Sequence, residues 1–193
     1  NTAGRLGSTA LYISPSAPRF CTVEGVLYNK DTTVVLMATR GIGNDITMPQ
    51  SVRRIEENAY ASCFNSYTIT LGDSVRELGM HILPSTIRNF TIPQSVVHID
   101  GPIYNCYATI FNPTIDPQNM HYYIEDGMVR SINGDTLVMC FGVWSGAKAL
   151  PEGIRVMCPY VFYNNSTLLR VDLPSTLEEI GDYALAGRNI NLV

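Results

Sequence analysis

The chain has 193 residues, 16% of them charged, and a formal net charge of -4 from 13 Lys and Arg against 17 Asp and Glu. It contains no basic block and no Lys/Arg cluster interleaved with aromatics, so nucleic acid is excluded as a partner on electrostatic grounds. The longest nearly unbroken apolar run, Leu137 to Trp144, is far shorter than the roughly 20 residues of a membrane-crossing helix, and no membrane insertion is expected in this segment.

Residues 1–19 lack both a starting Met and a basic start followed by a long apolar core, so they read as the leader of a mature or trimmed chain. Phe20 to Ala38 reads as a β-hairpin (20–38): an acidic residue beside Gly25, an apolar pair, a polar turn at Asn29-Lys30-Asp31, then threonine and a second apolar run. Gly41-Ile42-Gly43 superficially resembles a dinucleotide fingerprint. The third glycine position is Ile46, and Pro49 stands where the phosphate-binding helix should run, so no cofactor is expected there.

From Ile46 the chain repeats itself. ITMPQSVRRIEENAYASC (Ile46 to Cys63), ITLGDSVRELGMHIL (Ile69 to Leu83) and FTIPQSVVHIDGPIYNC (Phe90 to Cys106) share one pattern, and LPEGIRVMCPYVFYNN (Leu150 to Asn165) and LPSTLEEIGDYALAG (Leu173 to Gly187) repeat it later. The proline-like positions are 49, 72, 93, 151 and 174, with neighbouring steps of 23, 21 and 23 residues. Runs such as Ile46-Thr47-Met48 and Val171-Asp172-Leu173 alternate with a period of two, as a half-buried strand does. Proline ends the strand because it cannot donate to the next ladder bond. Val52 with Ile55, or Leu177 with Ile180, gives a second inward anchor; Gly79 or Gly181 allows a bend, and 182–187 fits one helical turn closed by glycine. A unit this short cannot fold alone, but stacked copies share a core, so a solenoid of parallel strands is expected.

The rungs are assigned to 46–106 and 147–193, with an irregular stretch at 107–121 in which Asn112 to His121 fits no rung. A second hairpin, 122–141, resembles the first, with Asn133-Gly134 as its turn signal and Gly127 standing 102 residues after Gly25. Asn189 to Val193 reads as the start of another strand, so the natural polypeptide is expected to continue.

The repeat also disposes of the obvious chemistry. Glu178-Glu179 would suit an acid/base pair, but its equivalents are Arg53-Arg54, Arg76-Glu77, Val97-His98 and Arg155-Val156, so it reads as a solvated face. The five cysteines, Cys21, Cys63, Cys106, Cys140 and Cys158, form no C-x-x-C pair and read as buried thiols. His81, His98 and His121 lack metal-ligand spacing; His98 falls on the variable surface position and His81 matches Asn58 in the bend. No G-x-S-x-G elbow is present. Cys63, Cys106 and Asn165 stand at rung corners, where a small polar side chain can meet exposed backbone groups. The outward strand residues Thr47, Thr70, Thr91 and Asp172, flanked by Arg170, then form an extended polar stripe suited to a protein or glycan. Threonine also favours strands for its own sake.

The pattern x-I-P-x-S-V-x-x-I with E-D-G-type hairpins resembles the BspA-like leucine-rich repeat proteins over residues 20–193, as ITMPQSV, FTIPQSV and LPSTLEEIGDYALAG show. Lys148 in place of an inward apolar residue, and Pro102 and Pro159 in the bend, depart from the pattern. The resemblance implies an α/β but strand-dominated, right-handed leucine-rich-repeat solenoid with inserted β-hairpins. It also implies a secreted or cell-surface protein of host-associated bacteria, often of the Bacteroides type, or of parasitic protists. The expected role is adhesion: a non-enzymatic protein without cofactor or metal that binds a host extracellular-matrix protein, cell-surface protein or glycan. A structural spacer presenting another domain is the alternative, and a hydrolase with a spatially assembled site a third. The sequons at Asn89, Asn164 and Asn165 matter only in a eukaryotic secretory pathway.

Overall fold

The computed structural model describes residues 11–39, 42, 45–63, 68–87, 89–104, 112–142, 144–163, 165–187 and 190. Cys106, both glycines of Gly41-Ile42-Gly43, Asn164 and most of 189–193 lie outside them.

The chain opens with a meander of β1 (Phe20–Val23), β2 (Val26–Asn29) and β3 (Val34–Ala38). Three rungs follow, each with a first and a second strand: β4 (Asp45–Thr47) and β5 (Arg54–Ile55), β6 (Thr68–Thr70) and β7 (Glu77–Leu78), β8 (Asn89–Ile92) and β9 (His98–Ile99). After β10 (Asn112–Ile115) a second meander runs through β11 (Tyr122–Glu125), β12 (Met128–Ser131) and β13 (Thr136–Cys140). Two further rungs close the described chain: β14 (Gly146–Ala149) and β15 (Val156–Met157), β16 (Leu168–Asp172) and β17 (Glu179–Ile180).

The second strands stack in parallel onto the meanders, in the orders β1-β2-β3-β5-β7-β9 and β11-β12-β13-β15-β17. The first strands form three parallel pairs, β4 with β6, β8 with β10 and β14 with β16. After each proline the chain makes a tight turn, with Val52 N donating to Pro49 O, Val96 N to Pro93 O and Leu177 N to Pro174 O. Val75 N donates likewise to Gly72 O, so the rung lacking proline turns the same way. Inward side chains then align across rungs: Ile55 and Leu78 are fully buried, and Ile99 is 3% exposed. Each such residue contributes about 1.5–3 kcal/mol by leaving water. Met48, Leu71 and Ile92 are buried, whereas Leu173 is 38% exposed because among the described residues β16 pairs on one side only.

Four expectations need correction. First, each hairpin is a three-stranded meander, with tight turns at Glu24-Gly25 and Asp126-Gly127 in addition to the polar ones. Both residues of each tight turn have positive φ, the pairing that matches the twist of two-residue hairpins. Second, 112–115 belongs to the repeat: β10 pairs with β8 in register, Thr114 beside Thr91 and Ile115 beside Ile92, and Asn119 N donates to Asp116 O as in the proline turns.

Third, the helical turn expected at 182–187 is a pair of tight turns, Ala184 N to Gly181 O and Ala186 N to Tyr183 O, and no helix occurs among the described residues. Tyr183 has φ 56°, which breaks a right-handed helix, and its equivalents Asn58, His81 and Tyr160 share that conformation. Fourth, Gly79 and Gly181 are required by close approach, with φ outside the left-handed region. A Cβ would lie 2.6 Å from Glu57 N at Gly79 and 2.5 Å from Pro159 N at Gly181.

Asn119 ties the first rungs to the second meander. Its side chain is buried and fully used: Nδ2 donates to the carbonyls of Pro93 (2.8 Å) and Val96 (3.1 Å), while Oδ1 accepts from His121 N and Tyr122 N. Tyr122 then takes the next rung's inward place, its hydroxyl accepting from Ile99 N and donating to Val97 O.

Candidate functional site

Alternation along the first strands sends every second side chain outward. Thr47 and Thr70 are exposed and face each other in the β4–β6 register. Thr91 is exposed beside Thr114, their hydroxyls 2.8 Å apart. A shallow groove of about 510 Å³ runs along this face, lined among others by Thr70, Thr91, Thr114 and Asp116. Arg170 and Asp172 are also exposed, but they lie on β16 in a separate sheet and bind each other, Nε to Oδ1 at 2.5 Å. The structure therefore joins the threonines by pairs and leaves Arg170 and Asp172 apart from them. Thr114 was missed because Asp116 stands in the proline place; the alternation of Pro113, Thr114 and Ile115 was the available signal.

Two clefts repeat between the modules. One, of about 610 Å³, lies between Glu24 and Val26 of the first meander and Ile46 to Pro49; the other, about 670 Å³, lies between Asp126 and Met128 and the segment Lys148 to Pro151. Every residue lining the second cleft stands 102 positions after one lining the first, and only Tyr28 lacks a counterpart there, so the clefts are products of the module. Their chemistry differs, since Ile42 and Ile46 are replaced by Trp144 and Lys148.

Two arginines brace successive rungs. Arg54 binds Glu77 at 2.6 Å, Glu56 at 2.9 Å and Asp100 at 3.1 Å, and its bond to Glu77 is the main cause that raises the guanidinium pKa. Arg155 holds Glu178 at 2.7 Å, one rung apart, as a solvated ion pair. His98 is exposed and meets Asp100 at 2.9 Å. Among the described residues no group of three His, Cys, Asp or Glu could hold a metal ion. Burial pushes the Cys63 and Cys158 thiols up to about 11, and that of Cys140 well above its ordinary range, so these sulfurs stay protonated at neutral pH. Cys63 Sγ donates to Thr39 O, and Asn165 Oδ1 accepts from Thr167 N and Leu168 N, which is corner bracing.

Stacked first and second strands joined by a proline turn match the family described as BspA type leucine rich repeat region, in six copies over residues 42–143 and 147–193. The chain belongs to that family. Three solved structures share the fold. The pneumococcal vaccine antigen PcpA matches with TM-score 0.60 at 19% identity, over 79% of this chain and 41% of that one. A leucine rich cell surface protein from Faecalibacterium prausnitzii matches with TM-score 0.61 at 22% identity, over 78% and 42%. A leucine-rich repeat protein from Eubacterium ventriosum matches with TM-score 0.60 at 16% identity, over 87% and 61%. The chain thus spans only part of the length of each. No curated protein matches it. Among the described residues no helix is long and apolar enough to cross a membrane.

Proposed function

We propose that this BspA-type repeat is a non-enzymatic interaction module, secreted or held at a cell surface, that binds a host matrix protein, surface protein or glycan through its first-strand face. The carrying observation is the groove along β6, β8 and β10, where the outward hydroxyls of Thr70, Thr91 and Thr114 supply donors and acceptors on a rigid parallel scaffold. Two similar solved proteins, a vaccine antigen and a cell surface protein, support the location.

The test is capture by immobilised protein from a panel of matrix proteins, mucins and glycans. Thr70→Glu with Thr91→Glu is expected to reduce capture at least about tenfold while leaving the melting temperature unchanged, because both side chains are exposed. Absence of capture across the panel, or capture indifferent to both substitutions, defeats the reading. The rung-bridging ion pairs favour a second role as a stiff spacer. A dedicated binding or catalytic domain elsewhere in the full reading frame would point to that role instead.

A further inference from the structure

The two clefts share a backbone plan, but the second carries a different chemistry. At corresponding places Val23, Ile42, Ile46 and Thr47 give way to Glu125, Trp144, Lys148 and Ala149. The Trp144 ring is buried and packs against Phe162 at 5.4 Å between centroids, so with Met128 and Leu150 it makes a fixed apolar floor. Lys148 stands where the rung places an inward apolar anchor, yet it is exposed and forms no ion pair with another described residue. On the opposite wall Asp126 is likewise unpaired among the described residues, while Glu125 meets Arg130 at 3.2 Å. The first module precedes this cleft and the rungs of β15 and β17 follow it, so its opening is not an end of the array.

One wall of the cleft is the edge of a sheet. β14 pairs with β16, Gly146 N donating to Thr167 O and Leu150 N to Asp172 O, and among the described residues no strand pairs on its other side. The cleft is lined by the consecutive residues Lys148 to Pro151, where a sheet face would offer alternate ones. Among the described first strands β14, Gly-Ala-Lys-Ala, is the one without a β-branched or aromatic residue, and its small side chains leave the backbone open to close approach. A Cβ built on Gly146 would meet no atom within 4 Å. The N–H and C=O groups of such an edge are satisfied in a regular ladder by another extended chain.

We propose that the cleft between Asp126 and Lys148 is a peptide-docking site, in which an extended segment of a partner protein adds a strand to β14. The segment presents an apolar side chain to the floor of Met128, Trp144 and Leu150, a carboxylate to Lys148 and a cation to Asp126. Opposite charges on the two walls select a mixed-charge segment, because a segment of either single sign is repelled by one wall. A second copy meeting this edge about a two-fold axis would bring Lys148 towards its own counterpart, so a different chain is the occupant. The inference is independent of the groove along β6, β8 and β10.

Fluorescence anisotropy tests it with the labelled peptide Val-Thr-Glu-Thr-Val-Thr-Lys-Thr-Val and its counterpart with Glu and Lys exchanged, which together serve either strand direction. At least one is expected to bind. Methylating every second backbone nitrogen of that peptide should weaken binding at least about tenfold in one of the two frames and little in the other, because ladder donors point to one side. Lys148→Glu is expected to weaken binding about tenfold, and a peptide with Lys in place of Glu should recover it on that variant. Asp126→Asn, which keeps a residue that tolerates the positive φ of this turn, should weaken binding about threefold. Thr70→Glu with Thr91→Glu should leave it unchanged. No binding of either peptide, an equal response to both methylation frames, no recovery after the charge exchange, preference for neutral oligosaccharides, or a dimer in sedimentation that excludes the peptide would each overturn the proposal. If Lys148→Glu unfolds, as seen by circular dichroism, the methylation frames decide, since they leave the protein unaltered.

Discussion

Ile46 and Lys148 hold the same place in the two modules, on the first strand after each meander, yet Ile46 is 7% exposed and Lys148 lies in solvent. The meanders around them follow one plan. Glu24-Gly25 and Asp126-Gly127 turn with the same signs of φ, as do Thr32 and Gly134. Asn29 Oδ1 accepts from Thr33 N and Val34 N, where Ser131 Oγ accepts from Thr136 N. The backbone is therefore specified by turn geometry and a few polar braces, while the side chains around the clefts are free to change sign and size. That separation can be broken at its sharpest point. Ile46→Lys would bury an ammonium on an apolar strand and remove its packing, at about 4 kcal/mol. Lys148→Ile should change stability by less than about 0.5 kcal/mol, but it removes a charge from a strand paired on one side only among the described residues, so self-association should rise. Denaturant unfolding with light scattering reads both; comparable destabilisation by the two substitutions would refute the comparison.

A smaller contrast lies in the second strands. Leu78 and Ile180 are equivalent, but Leu78 is fully buried between β5 and β9, whereas Ile180 is 47% exposed and, among the described residues, β17 pairs only with β15. Leu78→Ala should cost about 3 kcal/mol, and Ile180→Ala under about 1 kcal/mol. If equilibrium melts show equal losses, the stacking of rungs is not what buries these anchors.

Much of this architecture was legible. The alternation of Ile46, Thr47 and Met48, the proline turn and the spacing of the units identify the rungs, because period and turn chemistry are local. Glu178 could be read as a surface charge from its arginine counterpart, and the two ends of that reading meet as the Arg155–Glu178 pair. What stayed hidden was non-local or tolerant of substitution. β10 lacks the proline that marks a rung, since the turn at Asp116 needs only an acceptor carbonyl. The left-handed bend accepts Asn, His and Tyr alike, so no residue type announces it. His81 meets Tyr160 across the second meander, a contact that no spacing along the chain encodes. Asn119 reads as an ordinary loop residue until its four partners are seen.

The smallest expected effect separates the two polar turns by pH. Asp135 accepts hydrogen bonds from Thr136, Ser131 and Asn133 and feels Arg155, with the Thr136 bond the largest influence; together they hold its carboxyl below its ordinary value against desolvation, the second-largest influence. Its counterpart in the first module is Thr33, which does not titrate there. A carboxyl with a lowered folded-state pKa stabilises the fold above its unfolded-state value, and that contribution disappears as pH falls through the folded-state value. The second turn should therefore loosen below about pH 4 while the first does not, and solvent screening keeps the stability change under about 0.5 kcal/mol. Amide chemical shifts resolve this where global unfolding cannot. Thr136 should move with a midpoint below the ordinary aspartate value, Val34 should stay flat, and Asp135→Asn should abolish the movement. A midpoint at or above the ordinary value would mean that Ser131, Asn133 and Thr136 do not hold the ionised carboxylate, and that the two turns owe their shape to backbone geometry alone.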